Sequence, residues 1–368
     1  MKRFISLLLV ALMLMSLSGC SESKAICAYE EETPSLYEQF EQWFGVGAAI
    51  NSWNLDGSSE QYRTITKHFN VFVYENESKP DAIHPSEDRY NFANVDKFVE
   101  FGEQTGATLR GHTLLWHSQC PDWFFFDSNG NYVAPEVLLE RIDEHVTTIV
   151  SRYAGKIDTW DVVNEVISDG AGLRDSHWYN VVGDYDGDGD KYDYIEQAFR
   201  SARAADPDAR LIINDYNMEW SESKTISMYL AVKKMLSEGV PIDGVGLQMH
   251  IGPDLDVAKL RSNIEILLKL RDINPDFVIE VTEMDMNMTG STKEDFEKQA
   301  AKYAEMFQLF IDLAEEGVLD TVVFWGFYDG ASWLNKSDAD NYPMLFDREF
   351  MTKPAFWSVL EVAENNKK

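Results

Sequence analysis

The sequence predicts an α/β fold in which eight strand–helix units close into a (β/α)8 TIM barrel that forms a single catalytic domain. Short apolar runs rich in β-formers alternate with longer stretches of helical period, and the alternation repeats about every forty residues. A chain of 368 residues can bury a core of barrel size without disulfide support. A doubly wound open sheet is the alternative, but the Gly-rich turn with which such sheets bind nucleotides does not occur in the sequence.

The expected elements follow one another in a regular order. The short runs end near Ile50, Asn76, His117, Glu165, Asn217, His250, Asp285 and Gly326. Segments of helical period lie between them, among others Val137–Ala154, Asp193–Ala205, Lys224–Ser237, Leu255–Leu270 and Lys293–Glu316. Because a barrel places its active site at the carboxyl ends of its strands, the residues at these ends are the candidates for function.

The first residues differ from the rest of the chain. Lys2 and Arg3 precede an apolar stretch over residues 4–17, which predicts a signal peptide over residues 1–19. The ending Leu17-Ser18-Gly19-Cys20 is similar to the lipobox of bacterial lipoproteins, which implies an acylated Cys20 at the start of a polar tether over residues 20–34. The barrel domain is then expected over residues 35–364.

This N-terminus implies an exported protein that is anchored by lipid at Cys20 to a bacterial cell surface or outer membrane. Secretion after cleavage of an ordinary signal is the alternative. Contact with a membrane is expected only through the lipid. Of the remaining cysteines, Cys27 and Cys120 could pair after export, but their spacing in the sequence does not establish a disulfide.

Composition narrows the class of partner. The chain has 32 basic and 63 acidic residues, a net charge of −31, and phosphate recognition needs clustered Lys and Arg. Nucleic acid is therefore excluded as a partner. A fraction of 45% apolar residues excludes a solvated acidic coil. The 10 Trp and 16 Tyr residues are compatible with a cleft that binds sugars.

Nearly every predicted strand ends in polar or aromatic residues. These ends are Tyr74-Glu75-Asn76, Gly111-His112-Thr113, Trp116-His117, Asn164-Glu165, Asn214-Asp215-Tyr216-Asn217, Gln248-Met249-His250, Glu283-Met284-Asp285 and Trp325-Gly326. A purely structural core would not need polar groups at the same end of so many strands. The sequence therefore predicts one site at the barrel mouth.

Two carboxylates in this set predict glycoside hydrolysis. Glu165 and Glu283 end the fourth and seventh runs, which face each other across the mouth of a barrel. One carboxyl can protonate the leaving oxygen while the other attacks the anomeric carbon or activates water. His250 is placed to donate to Glu283, and Asp285 to hold His250. Asn164 is placed to bind the 2-hydroxyl of the sugar.

The other polar ends suit a carbohydrate. Directed donors and acceptors for hydroxyl groups come from Glu75, Asn76, Lys79, His112 and Gln248, and flat ring faces come from Trp116, Trp325 and Trp333. No catalytic metal is expected, because His112, His117 and His250 lack the spacing of known zinc motifs. A serine hydrolase is not expected either, because no G-x-S-x-G motif occurs.

Several of these segments together resemble family-10 glycoside hydrolases, the endo-1,4-β-xylanases. They are Phe69-Asn70, Glu75–Pro80, Gly111–Gln119, Trp160–Glu165, Asn214–Asn217, Gly246–His250, Val281–Asp285, Trp325-Gly326, Asp329, Ser332-Trp333, Leu345–Asp347 and Lys353–Ala355. The similarity extends over about residues 36–362 in the family's order. It implies a (β/α)8 barrel and hydrolysis of internal β-1,4 bonds of xylan with retention of configuration.

The resemblance also implies roles for single residues. Glu165 is the implied acid/base and Glu283 the implied nucleophile of a double displacement. The implied glycone subsites consist of Glu75, Asn76, Lys79, His112, Trp116, Gln119, Asn164, Gln248, His250, Trp325 and Trp333, with Asp285 and Asn214 in support. We expect a monomer that acts on xylan and xylo-oligosaccharides without a cofactor. A barrel of the same chemistry that acts on cellulose or mixed glucan, and a surface lipoprotein that binds carbohydrate at a dead site, are the alternatives.

Two segments depart from the family pattern. Ser78 occupies a position where the family usually has Met, which puts the packing beneath the glycone subsites in doubt. Residues 183–193 look like an insertion. There Asp184, Asp186 and Asp188 fit the first half of a calcium-binding EF-hand loop, but the twelfth position is Ile195 and not Glu. A structural calcium site and an acidic surface loop both remain open.

Overall fold

The computed structural model describes residues 33–337 and 339–367 and has a closed parallel barrel. Its strands are β1 (Gly45–Ile50), β2 (Val71–Tyr74), β3 (Thr108–Trp116), β4 (Thr159–Asn164), β5 (Arg210–Asp215), β6 (Gly244–Leu247), β7 (His250–Ile251), β8 (Val278–Met286) and β9 (Thr321–Phe324). The signal peptide, the tether, Cys20 and Cys27 lie outside the described residues.

Eight of these strands form the barrel, in the order β6-β5-β4-β3-β2-β1-β9-β8, and β6 closes the ring by pairing with β8. Every pairing is parallel. The two-residue β7 pairs with the end of β8, with His250 opposite Asp285. The predicted (β/α)8 barrel is thus confirmed.

Helices connect the strands. They are α1 (Leu36–Phe40), α2 (Glu60–His68), α3 (Pro80–Ile83), α4 (Ala93–Thr105), α5 (Pro135–Arg152), α6 (His177–Val182), α7 (Asp193–Ala205), α8 (Glu222–Ser237), α9 (Val257–Leu268), α10 (Lys293–Glu315) and α11 (Pro354–Asn366). Short 3₁₀ turns occur at Ser52–Leu55, Asp122–Phe124, Lys269–Asp272 and Asp329–Ala331. No helix in the described part of the chain combines the length and the apolarity that a bilayer span requires.

Local sequence signals account for the helix ends. The side chains of Ser59, Ser221 and Asp256 each accept a hydrogen bond from the backbone N–H three residues on, which satisfies a donor that the helix leaves free. Thr292 and Asp295 form a reciprocal capping box at the start of α10. The predicted helices Asp193–Ala205 and Lys293–Glu316 therefore agree with the observed bounds to within one residue.

Charged and aromatic groups fill the lower part of the barrel. Arg110 on β3 is 2% exposed and is paired with Asp161 on β4 and Glu280 on β8. The ring of Trp160 packs so closely on β3 that a Cβ atom at Gly111 would lie 2.1 Å from it. Because a buried charge is costly unless it is paired, this cluster fixes the relative positions of three strands beneath the mouth.

The strands end earlier than predicted at several positions. β2 ends at Tyr74 and β5 at Asp215, whereas the sequence predicted ends near Asn76 and Asn217. The chain leaves the extended conformation just where the predicted site begins, since Glu165, Asn217 and Met249 have φ angles of 59°, 65° and 62°. Asn76, Glu165 and Asn217 therefore belong to the turns that follow the strands, whereas the predicted polar ends Asn164, Asp215 and Asp285 lie in the strands themselves.

Candidate active site

A cavity of about 430 Å³ opens at the carboxyl ends of the strands. It is lined by Glu75, Asn76, Lys79, His112, Trp116, Gln119, Asn164, Glu165, Tyr216, Gln248, His250, Glu283, Trp325 and Trp333. The structure thus brings together all of the predicted catalytic and substrate-binding residues and adds Tyr216. A larger cavity of about 570 Å³ lies at the opposite end of the barrel, where Asp158, Arg210 and Asp320 line it, and it contains none of the predicted site residues.

Glu283 is held from several sides. Its side chain lies on β8 and is almost fully buried. The Asn214 amide donates to Glu283 Oε1 over 2.7 Å, and His250 Nε2 lies 3.4 Å from Oε2. His112 Nδ1 lies 3.9 Å from Oε1. These contacts fix the orientation of the carboxylate, which an attacking group needs.

His250 stands between two carboxylates. Its Nδ1 lies 3.0 Å from Asp285 Oδ2, and the Trp333 indole N–H donates to the same oxygen over 2.7 Å. Burial lowers the pKa of His250, but the negative charges of Asp285 and Glu283 outweigh it and hold this pKa well above its usual value. The arrangement agrees with the predicted support of His250 by Asp285.

The backbone at Glu165 adopts a left-handed conformation that is rare for a side chain of this size, with φ at 59°. Two hydrogen bonds hold it there. The Glu165 N–H donates to the carbonyl of Asn214 over 2.8 Å, and Arg174 Nε donates to the carbonyl of Glu165 over 2.6 Å. The side chain is thereby turned into the cavity that Glu283 also lines.

The surroundings of the Glu165 carboxyl differ from those of Glu283. Its Oε1 accepts long hydrogen bonds from the amides of Asn164 (3.4 Å) and Gln248 (3.3 Å). His117 Nε2 lies 3.8 Å from Oε2. Burial, together with the positive charges of Arg174 and Lys224, lowers the pKa of His117 to about 4, so its imidazole is neutral at neutral pH. His117 therefore places no positive charge beside Glu165, in contrast to His250 beside Glu283.

A chain of amides joins the two carboxylates. The Asn214 amide donates to Glu283 and also to Asn164 Oδ1, over 2.9 Å. Gln248 Nε2 donates to the same Asn164 oxygen over 3.1 Å. The Thr282 hydroxyl donates to Asn214 Oδ1 over 2.6 Å, which fixes the orientation of that amide. Asn214 therefore supports both carboxylates, as the resemblance implied for a supporting residue.

Polar groups on the loop after β2 form one wall of the cavity. Lys79 Nζ donates to Gln119 Oε1 over 2.8 Å and to Asn76 Oδ1 over 3.2 Å, and it lies 4.8 Å from the centre of the Trp116 ring. Burial lowers the pKa of Lys79, opposed mainly by the charges of Glu283 and Glu75. The wall therefore offers fixed donors and acceptors beside a ring face, as hydroxyl groups of a sugar require.

Ser78 does not loosen this wall. Its side chain is buried, and its hydroxyl donates to the backbone carbonyl of His112 over 2.5 Å. A hydrogen bond from the loop after β2 to strand β3 thus occupies the place where the family usually has a Met. The packing beneath the subsites, which the sequence left in doubt, is maintained by this bond.

Sequence reasoning missed functional contacts of two residues, Asp161 and Arg174. Asp161 Oδ2 lies 2.9 Å from His112 Nδ1 and so orients that ring. Arg174 holds the Glu165 backbone, and its Nη2 donates to the Tyr216 hydroxyl over 2.9 Å. An acidic residue inside the apolar run of β4 was a signal for Asp161, whereas nothing in the pattern of the sequence marks Arg174.

Glu219 was also missed. It is fully buried on the loop after β5, and its Oε1 accepts the N–H of Met249 over 2.7 Å. Met249 lies between Gln248 and His250 and has a φ of 62°. Glu219 therefore holds the turn that carries two residues of the cavity, although it does not line the cavity itself.

The acidic loop at residues 183–193 lies outside the cavity. Asp184, Asp186 and Asp188 place carboxylate oxygens within 4.8 Å of one another. Lys234 Nζ contacts Asp188 over 2.5 Å and Asp190 over 3.0 Å. Within residues 33–337 and 339–367, the groups that could hold a metal ion are confined to this loop and its neighbour Glu238, away from the histidines of the mouth.

Comparisons with known proteins agree with this geometry. The profile described as glycosyl hydrolase family 10 matches residues 35–362. The chain is 42% identical to endo-1,4-beta-xylanase C of Paenibacillus barcinonensis, over 91% of this chain and 32% of that protein. It is 37% identical to endo-1,4-beta-xylanase A of Halalkalibacterium halodurans, over 93% of this chain and 90% of that protein. The chain thus spans about a third of the length of the Paenibacillus relative. It spans 28% of the length of another relative, endo-1,4-beta-xylanase A of Thermoanaerobacterium saccharolyticum.

Solved structures are similar over the same region. A GH10 structure from Paenibacillus barcinonensis superposes with a TM-score of 0.86 at 42% identity and covers 90% of this chain and 98% of that one. A xylanase from Thermoanaerobacterium saccharolyticum, solved as a mutant with xylotriose, has a TM-score of 0.82 at 40% identity and covers 90% of this chain and 99% of that one.

Proposed function

We propose, from the premise that this chain belongs to glycosyl hydrolase family 10, that it is a retaining endo-1,4-β-xylanase. The observation that carries the proposal is the pair of carboxyl groups, Glu165 and Glu283, which share one cavity but have different surroundings. A double displacement needs two such groups, since one must act as nucleophile and the other as acid and then base.

In the first step, Glu283 attacks the anomeric carbon while the bond from that carbon to the leaving oxygen breaks. Glu165 gives its proton to the leaving oxygen, and a covalent glycosyl-enzyme forms. The Asn214 amide and His250 hold the attacking carboxylate in place. His250 Nε2 lies beside this carboxylate, and because the pKa of His250 is held well above its usual value, a positive charge faces the attacking group.

In the second step, Glu165 takes a proton from water, and the water oxygen attacks the same carbon from the face that the leaving group left. The bond to Glu283 breaks, so the product keeps its β configuration and both carboxyl groups return to their starting states. No cofactor enters either step. The long hydrogen bonds to Glu165 allow its charge to change twice in each cycle.

The remaining residues of the cavity bind the glycone. Asn164 is proposed to bind the 2-hydroxyl of the sugar next to the cleaved bond. Hydroxyls further along are proposed to meet Glu75, Asn76, Lys79, His112, Gln119 and Gln248, with ring faces on Trp116, Trp325 and Trp333. A xylanase relative was solved with xylotriose, which supports xylan and xylo-oligosaccharides as the substrate class.

Hydrolysis assays on three polymers test this proposal. We expect reducing sugar to appear from xylan at a rate far above that from cellulose or mixed-linkage glucan. Faster release from either glucan would replace the xylanase assignment with the alternative activity. Binding of xylan without release of sugar would favour a surface protein with a dead site.

The N-terminus is proposed to direct export and to carry a lipid anchor. We propose a signal over residues 1–19, a tether over 20–34 and a barrel domain over 35–364, with export to a bacterial cell surface or outer membrane through a lipid on Cys20 and a monomeric catalytic body. Labelling of the expressed protein with a radioactive fatty acid tests the anchor. Label on the native chain and none on Cys20→Ser is expected, whereas an unlabelled native chain would favour ordinary secretion.

A bound calcium ion and a disulfide remain predictions. A calcium ion at Asp184, Asp186 and Asp188 would raise the melting temperature in a titration with Ca²⁺ after EDTA treatment, and an unchanged melting temperature would leave an acidic surface loop. A disulfide between Cys27 and Cys120 concerns a residue outside the described part of the chain. Mass spectrometry with and without reduction tests it.

A further inference from the structure

Three of the four tryptophans with large exposed surfaces in the described part of the chain lie at the end of the barrel that holds the cavity. Within residues 33–337 and 339–367, Trp53 is 64% exposed, Trp333 53%, Trp220 51% and Trp357 38%. Trp357 lies on α11, in the outer ring of helices. The other three lie on loops that follow β1, β5 and β9, at the end of the barrel that holds the cavity. An exposed indole forgoes the stabilisation that burial would give it, so a group of them on the catalytic face indicates a binding surface.

Trp53 is tied to the wall of the cavity through its neighbours. It lies in the 3₁₀ turn Ser52–Leu55 that follows β1. The Asn51 amide donates to Glu75 Oε2 over 2.9 Å, and the Ser52 N–H donates to Glu77 Oε1 over 2.6 Å. The turn is therefore held against the loop that carries Glu75, while the indole itself stays in solvent.

Trp220 occupies a position like that of Trp53, but on the other side of the cavity mouth. Its N–H donates to the Asn217 carbonyl over 3.4 Å, within the loop that follows β5. The preceding residue, Glu219, is buried and anchored to Met249, and Tyr216 of the same loop lines the cavity. The backbone around Trp220 is thus fixed, and only the indole projects into solvent.

The closed order of the barrel places these two loops opposite each other. β1 and β5 are four strands apart in a ring of eight, whichever way the ring is followed. The loop after β1 is bonded to the wall that holds Glu75, whereas β5 is the neighbour of β4, at whose end Glu165 lies. A linear substrate that crosses the mouth therefore passes Trp53 on the glycone side and Trp220 on the side of the leaving group.

We propose that Trp53 and Trp220 are two distal platforms on which sugar rings of a β-1,4-linked xylan chain lie, outside the cavity that contains the carboxylates. The inference rests on the proposed function and extends it to the length of substrate that the site holds. The ligand fits, because a pentose ring is uncharged and presents C–H groups to an indole face. Each platform adds affinity for long chains only, since a disaccharide bound at Glu283 cannot reach both sides of the mouth.

The test compares a long substrate with a short one. For wild type, Trp53→Ala, Trp220→Ala and the double variant, kcat/KM is measured on xylohexaose and on an aryl β-xylobioside. We expect the ratio of the two values to fall about tenfold in each single variant, and further in the double variant, because a ring face that only the long substrate contacts is lost. Trp357→Ala is the matched control, and its ratio should equal that of wild type.

A second measurement separates this inference from the proposed function. Calorimetric titration of xylohexaose into Glu283→Gln, with and without Trp53→Ala or Trp220→Ala, needs no turnover. Weaker binding in both tryptophan variants supports the platforms even if the enzyme should fail to hydrolyse xylan. Unchanged ratios and unchanged affinities, or an equal effect from Trp357→Ala, would overturn the inference.

Discussion

Glu165 and Glu283 lie in one cavity, yet their surroundings are arranged for different tasks. Glu283 is held at short distance by Asn214 and approached by the charged His250, which suits a group that must stay oriented as an anion. Glu165 has only long hydrogen bonds and a neutral histidine beside it. Two carboxyl groups thus receive two roles from their neighbours rather than from their own chemistry.

Replacement of the two carboxyl residues should separate these roles. Glu283→Ala should abolish turnover of every substrate, since no other group can form the covalent intermediate. Glu165→Ala should reduce activity on xylan by several orders of magnitude but retain more activity on an aryl xylobioside with an acidic phenol, whose departure needs no proton. Steady-state rates on both substrates, with circular dichroism as a check of folding, measure the difference. Equal losses on both substrates in Glu165→Ala would contradict the acid role.

Glu219 is expected to act as a positioning residue through Met249. Removal of its carboxylate in Glu219→Ala frees the turn that carries Gln248 and His250, and a shift of about 1 Å in such groups can lower kcat by about 10²-fold. In Glu219→Gln the amide oxygen can still accept the Met249 N–H, so most of kcat should remain. KM should change little in both variants. Loss of kcat in Glu219→Gln equal to that in Glu219→Ala would argue against this role.

Among the helices, the packing of α2 on the barrel depends on a histidine, His68, that is neutral in the folded protein and would be protonated in acid. His68 ends α2 and is buried between Phe346 and Phe356, with ring centroids 4.8 and 5.5 Å away. Burial, with a smaller effect of Lys67, lowers the pKa of His68 to about 3. Since an unfolded His titrates near its usual pKa of about 6.5, unfolding takes up a proton below that pH.

The lowered pKa of His68 predicts that the folded protein loses stability in acid. The stabilisation by a neutral His68 is complete above about pH 6.5 and is lost as the pH falls from there toward about 3. Between pH 7 and pH 5 its loss amounts to about 2 kcal/mol of unfolding free energy. His68→Phe should remove that part of the pH dependence in urea unfolding curves, and the exposed His177→Phe serves as control. An unchanged pH dependence in His68→Phe would refute the assignment.

The elements show what sequence patterns can and cannot predict. Helices α7 and α10 were predicted closely because their apolar period is regular over many residues and because α10 also has a capping box at its start. Strand ends were less well placed, because Asn217 and Met249 continue an apparent run while their backbone already turns. The site residues were predictable since polar groups stand out at the ends of apolar strands. Glu219 was not, because it acts through the backbone of a residue distant in the sequence.

The acidic residues that give the whole molecule its net charge of −31 fall into two groups. A small group lies in the cavity or inside the barrel, and a large group lies on the surface. Glu75, Glu165, Glu283 and Asp285 lie in or beneath the cavity, and Asp161 and Glu280 neutralise Arg110 inside the barrel. Most other acids are exposed, where they keep the protein in solution and give no attraction to an uncharged polysaccharide. The net charge therefore excludes nucleic acid as a partner, whereas the order of the strands in the barrel determines which side chains meet in the cavity.

Glu283 is proposed to form a covalent intermediate from which water releases the sugar with its configuration retained. Proton NMR of xylohexaose hydrolysis, recorded within the first minutes, tests it most directly because it identifies the first-formed anomer before mutarotation. We expect the β anomer of the new reducing end to appear first and the α anomer only later. An α anomer that appears first would contradict the double displacement and the roles assigned to both carboxyl groups.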